Sequence, residues 1–307
     1  MKILITGASG FIGSHLMRSL QNETVIPFVH YDKRVRIPGA LYGDVRDYHS
    51  VEQAVKDVDV VYHLAALIGI PYSYESPDSY VATNIIGTTN VLQAALKHRV
   101  KRVIIMSSSE VYGSALWTPI GEDHPLQAQS PYAATKIAAE KLAESFFKTY
   151  DLPVTIVRPF NTYGPRQSFR AVIPTIIGQL MRSSIVMLGE TKAVRDLTFV
   201  TDMADALALV YKNEALIGET VNIASGERYS IGEIAEKLIN LLNPAASVEL
   251  DKTRVRPEKS EVMVLQGDSA LFKRATGWNR KINIDAGLEM TARWYLENKN
   301  DMKEYCT

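Results

Sequence analysis

Residues 2–13 read Lys2-Ile3-Leu4-Ile5-Thr6-Gly7-Ala8-Ser9-Gly10-Phe11-Ile12-Gly13. A short buried-strand pattern runs into three glycines spaced three apart, and residues 11–21 then have helical character. Glycines here permit a tight turn, a close backbone approach to a bound pyrophosphate, and close packing of helix on strand. The helix would start with free N–H groups and the positive end of its dipole facing the loop, which is a seat for phosphate. The spacing is GxxGxxG and not GxGxxG, and an ordinary strand–helix turn could carry the same glycines.

Working outward, the alternation repeats. Residues 24–30, 58–64, 101–107 and 154–158 are apolar, β-rich runs, the first of them weakened by Pro27. Between them, 47–55, 77–99 and 131–150 have helical spacing, the middle one as a single long helix. Strands separated by helices imply an α/β fold with a doubly wound parallel sheet, whose strands are apolar because both faces are covered. The alternation breaks at Pro159. Beyond it come a helix near 172–182, a strand near 185–188, the segment Arg195–Val200, a helix near 202–212, a strand at 220–224, and helices at 231–242 and 284–298. This divides the chain into a dinucleotide-binding Rossmann-like domain, 1–160, and a smaller C-terminal substrate-binding lobe, 161–307. Some segments after 195 are expected to return to the first domain.

Composition narrows the classes. At 307 residues the chain can bury a large core without staples. Its one cysteine, Cys306, excludes an intrachain disulfide and a Cys-rich zinc site. Lys+Arg and Asp+Glu are both 34, so there is no global basic field for nucleic acid or anionic membrane. Apolar runs are too short to span a bilayer, and Met1-Lys2 enters the first strand directly, with no signal-peptide pattern. The expectation is a cytoplasmic protein. His15 is expected to be a packed or surface residue, and His63 and His98 lack metal-ligand spacing, so no metal is expected.

Two further motifs carry chemistry. Tyr132 and Lys136, in Tyr-Ala-Ala-Thr-Lys, lie four apart at a helix start and share a face. A neighbouring ammonium favours phenolate, so the tyrosine is expected to titrate lower than usual and to serve as a base or acid toward a sugar hydroxyl. An exposed pair on a surface helix has the same spacing. Ser107-Ser108-Ser109-Glu110-Val111-Tyr112-Gly113 follows a strand, at the edge where doubly wound folds bind ligands. A polar capping loop is its other reading. Tyr72, Tyr74 and Tyr80 are read either as stacking on a base or sugar, or as loop packing.

The glycine loop, Ser-x-Glu-Val-Tyr-Gly and YxxxK, in this order, resemble the extended short-chain dehydrogenase/reductase superfamily over nearly the whole chain. The resemblance implies a bound NAD or NADP. Its cofactor contacts would be Gly7, Ser9, Gly10, Phe11, Ile12, Gly13, Asp44, Val45, Leu64, Ala65, Ala66, Asn84, Ser107, Tyr132, Lys136 and Pro159. Asp32 would favour NAD by holding the ribose, whereas His30, Lys33 and Arg34 would favour a 2′-phosphate, and the choice stays open. Ser108, Glu110, Tyr132 and Lys136 would be catalytic. Ser109, Asn161, Arg166, Arg195 and Arg256 would bind a nucleotide-diphosphate sugar, the diphosphate falling to Asn161, Arg195 and Arg256.

Residues 67–74 and 158–168 are most similar to 4,6-dehydratases of the legionaminic-acid type and, more distantly, to the decarboxylase domain of the aminoarabinose pathway. Glu110 favours a dehydratase, which needs a base at C5. Decarboxylases carry the same Ser-Glu pair, and 4-epimerases usually lack the glutamate. Glucose-type dehydratases have Asp where Ser109 stands. A catalytically silent nucleotide-binding regulator is the alternative of another class, disfavoured because Tyr132 and Lys136 are both kept. A simple ketone reductase is disfavoured by the lobe after Pro159. The resemblance also implies a homodimer through a four-helix interface built from helices 77–99 and 131–150.

Overall fold

The computed structural model describes residues 1–30, 37–255 and 257–298. The strands are β1 (Lys2–Thr6), β2 (Thr24–Val29), β3 (Leu41–Tyr42), β4 (Val60–His63), β5 (Arg102–Met106), β6 (Val154–Pro159), β7 (Asn161–Tyr163), β8 (Ile185–Leu188), β9 (Val194–Phe199), β10 (Thr220–Ile223), β11 (Arg228–Ser230), β12 (Ser247–Leu250) and β13 (Val264–Leu265). The helices are α1 (Phe11–Ser19), α2 (Tyr48–Val55), α3 (Ile70–Glu75), α4 (Pro77–Tyr80), α5 (Gly87–Lys97), α6 (Pro131–Tyr150), α7 (Val172–Leu180), α8 (Val200–Val210), α9 (Ile231–Leu242), α10 (Ala270–Thr276) and α11 (Ile284–Glu297).

Among the described residues a seven-stranded sheet runs β10-β6-β5-β4-β1-β2-β3, all pairs parallel. Both faces are covered. Ile3, Ile5, Tyr62 and Ile104 pack under α1 and α8 on one side, while Leu4, Val61, Val103 and Ile105 pack under α2 and α5 on the other. Full burial of each such side chain stabilises the fold by about 1.5–3 kcal/mol. That burial is why these strands read as apolar runs and not as alternations. Pro27 is tolerated in β2, in register with Ile5.

From β1 the chain moves to β2 in one direction, and β4 lies on the other side of β1. The order therefore reverses between β1 and β4, and the loops leaving their carboxyl ends form a crevice. β10 and α8 return from the second half of the chain, β10 to pair with β6 and α8 to pack on α1. The second half also builds a sheet around β9, which pairs with β7, β11 and β13, and a parallel pair β8–β12. A core of Ile173, Ile177, Leu188, Phe199, Leu238 and Leu288 lies against it.

The long helix expected over 77–99 is interrupted. α4 passes into a π-helical turn, Val81–Ile86, before α5. One wide turn is enough to rotate the face that α5 presents, and such turns occur often at functional sites. This one carries Asn84, which is 1% exposed.

Candidate active site

The glycine loop leaves β1 at the crevice. Gly7 has φ +72°, and a Cβ there would lie 2.9 Å from the Ala65 nitrogen, so the turn and the neighbouring loop both require glycine. A Cβ on Gly13 would stand 2.4 Å from the Gly7 carbonyl oxygen, so this glycine lets α1 close on the turn. Gly10 precedes α1 and no side chain caps it among the described residues, which leaves the first N–H groups of the helix open to a ligand. Gly10 is exposed, and Ser9, Phe11 and Ile12 are half-buried around it. These features fit the pyrophosphate of a dinucleotide.

A buried hydrogen-bond chain sets the opposite wall. The Ala65 N–H donates to Thr6 Oγ1 at 3.2 Å, and Thr6 Oγ1 meets His63 Nδ1 at 2.8 Å. His63 Nε2 meets Thr88 Oγ1 at 3.1 Å, and that hydroxyl donates to the Asn84 carbonyl at 2.6 Å. Since the Thr88 proton is spent on Asn84, His63 donates from Nε2 and accepts at Nδ1. Burial pushes the imidazole down to about 3, and the Lys136 charge acts the same way, so His63 is neutral. Leu64, Ala65 and Ala66 are thereby held half-exposed at the crevice.

Asn84 faces inward from the π turn. Its carboxamide accepts from the Leu67 N–H at 2.9 Å and donates to the Leu67 carbonyl at 3.0 Å and to Thr135 Oγ1 at 3.1 Å. It therefore ties the 67–75 segment to α6. Asp44 is held by Arg46, with His30 3.6 Å away, and the Val45 carbonyl accepts from Asn90 at 2.9 Å.

The catalytic candidates come together at the ends of β5 and α6. Pro131 opens α6 and Ser130 caps it, which fits their residue types. This places Tyr132 in the first turn, 6% exposed. Ser108 caps the short turn Ser109–Tyr112, its Oγ accepting from the Glu110 N–H at 3.2 Å. The Ser108 hydroxyl is close enough to the Tyr132 phenol to favour phenolate, and the Glu110 carboxylate is close enough to oppose it. Glu110 is half-buried, and its side chain has no hydrogen-bond or ion-pair partner among the described residues. Ser109 is buried in the same turn.

One expectation is corrected. Lys136 does not lower Tyr132. Burial dominates and pushes the phenol well above its usual range, with Glu110 and Tyr80 adding to the rise. The Lys136 ammonium donates instead to the Met106 carbonyl at 2.7 Å and is itself pushed down to about 8 by burial, against the pull of Glu140. Spacing alone counted the neighbouring charge and not the loss of solvent.

Tyr72, Tyr80 and Tyr132 form a row, with ring centroids 6.0 and 6.2 Å apart. Tyr80 is buried and donates to the Gly69 carbonyl, and the Tyr74 hydroxyl meets that of Ser260 at 2.5 Å. His15 is packed, its Nε2 donating to the Pro165 carbonyl at 3.1 Å. Asn161 opens β7 with its side-chain oxygen buried and unpartnered among the described residues. Arg166 takes φ +72° in the loop just beyond, and Pro159 ends β6. Arg195 is buried in β9, donating to the Val194 carbonyl at 2.9 Å and to Glu261 at 3.3 Å. Asp32 and Arg256 lie outside the described residues.

Sequence reasoning missed a buried pair beneath the site. Arg158 donates to both oxygens of Glu140, which also accepts from the Ser107 hydroxyl. A lone charge ending the apolar run Val154–Arg158, and a glutamate on the Tyr132–Lys136 face of α6, were its signals. Among the described residues no cluster of His, Cys, Asp and Glu could hold a metal, and no helix is long and apolar enough to cross a membrane.

A glycine loop at the β1–α1 crevice, with Tyr132 and Lys136 of α6 beside the turn that carries Ser108, is the arrangement of a short-chain dehydrogenase/reductase. The chain belongs to the GDP-mannose 4,6 dehydratase family, whose sequence profile matches residues 4–291. It is 32% identical to the low-salt glycan biosynthesis protein Agl12 of Haloferax volcanii, over 96% of this chain and 99% of that one. It is 33% identical to the UDP-N-acetyl-alpha-D-glucosaminuronate decarboxylase of Bacillus cytotoxicus, over 98% and 99%. The dTDP-glucose 4,6-dehydratase DesIV of Streptomyces venezuelae, solved with NAD, superposes with a TM-score of 0.89 at 29% identity, over 99% of this chain and 100% of that one. The protein is thus an enzyme of the group that includes nucleotide-sugar dehydratases, epimerases and decarboxylases.

Proposed function

We propose that the protein is a 4,6-dehydratase of a nucleoside-diphosphate hexose of the N-acetylglucosamine type. The observation that carries this reading is Glu110, a carboxylate with no partner among the described residues, set on one turn with Ser108 and close to Tyr132. The cofactor is NAD or NADP, held by the glycine loop, by residues 64–66 and by Lys136. When bound, it supplies a hydride acceptor and donor, so that the sugar is oxidised and later reduced with no net redox change.

The chain's own residues supply the proton chemistry. Burial favours the neutral phenol at Tyr132; the positive charge of an oxidised nicotinamide, when bound, would favour the phenolate, which then takes the proton of the C4 hydroxyl while Ser108 hydrogen-bonds that oxygen. Oxidation at C4 acidifies the C5 proton, which the Glu110 carboxylate accepts. Glu110 then gives a proton to the C6 hydroxyl, which leaves as water. As C6 is reduced, Glu110, reprotonated from solvent, gives a proton to C5, and Tyr132 releases its proton to solvent, which leaves the ketone at C4 and a methyl group at C6. Asn161 supports the reading of a nucleotide-sugar site, because its side-chain amide has no partner among the described residues: the Nδ2 group can donate to a phosphate oxygen, while the buried Oδ1 accepts from a ligand hydroxyl or N–H. Arg166 and Arg195 supply positive charge, and Ser109 lines the sugar side.

In the same reading the protein is a homodimer through α4–α5 and α6, supported by Val81 and Ile86 standing 42% and 47% exposed on the π-helical turn that joins α4 to α5. Light scattering of the purified protein checks it. For the reaction, a panel of UDP-, GDP- and dTDP-sugars is incubated in deuterated water and read by mass spectrometry. Loss of one water with one deuterium gained at C5 is expected. Loss of carbon dioxide would instead mark a decarboxylase, and an isomer of unchanged formula an epimerase.

A further inference from the structure

Beneath the turn that carries Ser108 and Glu110, Glu140 and Arg158 are sealed from water, their side chains 0% and 4% exposed. The guanidinium grips both carboxylate oxygens, Nε to Oε1 at 2.9 Å and Nη2 to Oε2 at 2.6 Å. The Ser107 hydroxyl donates to the same Oε1. On its other side Arg158 Nη1 donates to the Tyr112 hydroxyl at 2.9 Å, with the guanidinium 4.9 Å from the centre of that ring. Tyr112 in turn donates to Asn222 Oδ1 in β10 at 2.7 Å.

Stability is a poor explanation for such a pair. Desolvating two charges offsets most of what their attraction returns, and apolar side chains of similar volume often hold a fold equally well. What a bidentate fork supplies is direction, because both hydrogen bonds form in only one relative placement of the two groups. The placement matters here. Ser107 is the immediate neighbour of Ser108, and Tyr112 closes the turn that carries Glu110. Glu140 lies one helical turn beyond Lys136 and two beyond Tyr132, on the same face of α6.

We propose that Glu140 and Arg158 are a positioning pair that locks the turn bearing Ser108 and Glu110 in register with the helix bearing Tyr132 and Lys136. The proposal rests on the catalytic reading above for its effect on rate, though not for its effect on geometry. It makes this ion pair a device for alignment, replaceable for folding and irreplaceable for turnover.

The test is the double variant Glu140→Leu/Arg158→Met, with Tyr112→Phe as a second variant that keeps the charges and removes one hydroxyl. The double variant is expected to melt at or above the wild-type temperature. Its kcat is expected to fall about 100-fold, the scale of a small misplacement of catalytic groups. KM should stay within about threefold, since the nucleotide is held elsewhere. Tyr112→Phe should lose roughly tenfold in kcat. A crystal structure of the double variant should show the Ser108–Tyr132 and Lys136–Met106 contacts opened within an intact fold. Wild-type kcat in a folded double variant overturns the proposal. So does a double variant that fails to fold while Tyr112→Phe turns over at the wild-type rate. Should the wild-type protein convert no sugar nucleotide, the catalytic reading fails separately. The crystal structure then decides the positioning role, and unchanged contacts refute it.

Discussion

Replacing Lys136 by methionine isolates the cost of a buried ammonium. Burial pushes Lys136 from the ordinary lysine value of 10.5 down to about 8. At roughly 1.4 kcal/mol per pH unit, that gap is worth about 3 kcal/mol. Below pH 8 the folded and unfolded chains both carry the proton, and the folded state bears the whole cost. Between about 8 and 10.5 the folded lysine is neutral while the unfolded one is still charged, so at this site a rise in pH favours folding. Above that window both forms are neutral and the cost is gone. Lys136→Met has no such site. It also leaves the Met106 carbonyl without its donor, a loss whose size does not depend on pH. The assay is urea unfolding of wild type and variant, followed by circular dichroism at a series of pH values. The stability of the variant relative to wild type should fall by about 2–3 kcal/mol from about pH 7 to about pH 10. A difference that stays flat across that range would refute the burial argument. If the ammonium is the active form, wild-type turnover should fall through the same alkaline window.

Three other outcomes are expected. Tyr132→Phe should fold normally and lose about 10²–10⁴-fold in turnover, checked by product formation beside a thermal melt. Gly13→Ala places a methyl 2.4 Å from the Gly7 oxygen, and should cost about 1–3 kcal/mol in urea unfolding and weaken dinucleotide binding in a fluorescence titration. Asn161→Leu removes a buried acceptor that lacks a partner among the described residues, so the free protein should gain about 1 kcal/mol while UDP or dTDP affinity drops in calorimetry. Unchanged affinity would remove Asn161 from the nucleotide site.

The first half of the chain was legible because its strands are buried on both faces and its helices on one. Residues 2–6, 131–150, 185–188 and 231–242 were placed at their observed bounds. The rest failed for identifiable reasons. β12, Ser247–Leu250, is exposed along its whole length and shows no inward face to read. β13 and β7 are two and three residues long and exist through pairing with β9, which only the tertiary structure supplies. The π turn at 81–86 leaves the apolar spacing nearly intact, so one continuous helix was expected. At the site, motifs found Ser108, Glu110, Tyr132 and Lys136, which the fold does bring together. They could not show that burial outweighs the nearby amine at Tyr132. Nor could they show that the Asn84 carboxamide is occupied by Leu67 and Thr135.

The return of the chain through α8 and β10 makes severing it hazardous. A fragment ending near residue 160 would keep the glycine loop and the reactive tyrosine. It would also present β6 as a raw margin, with unsatisfied amides along its length, and strip the apolar flank of α1 on which α8 rests. Such a piece is expected to clump when expressed, so the nucleotide-holding portion cannot be borrowed as a free-standing module.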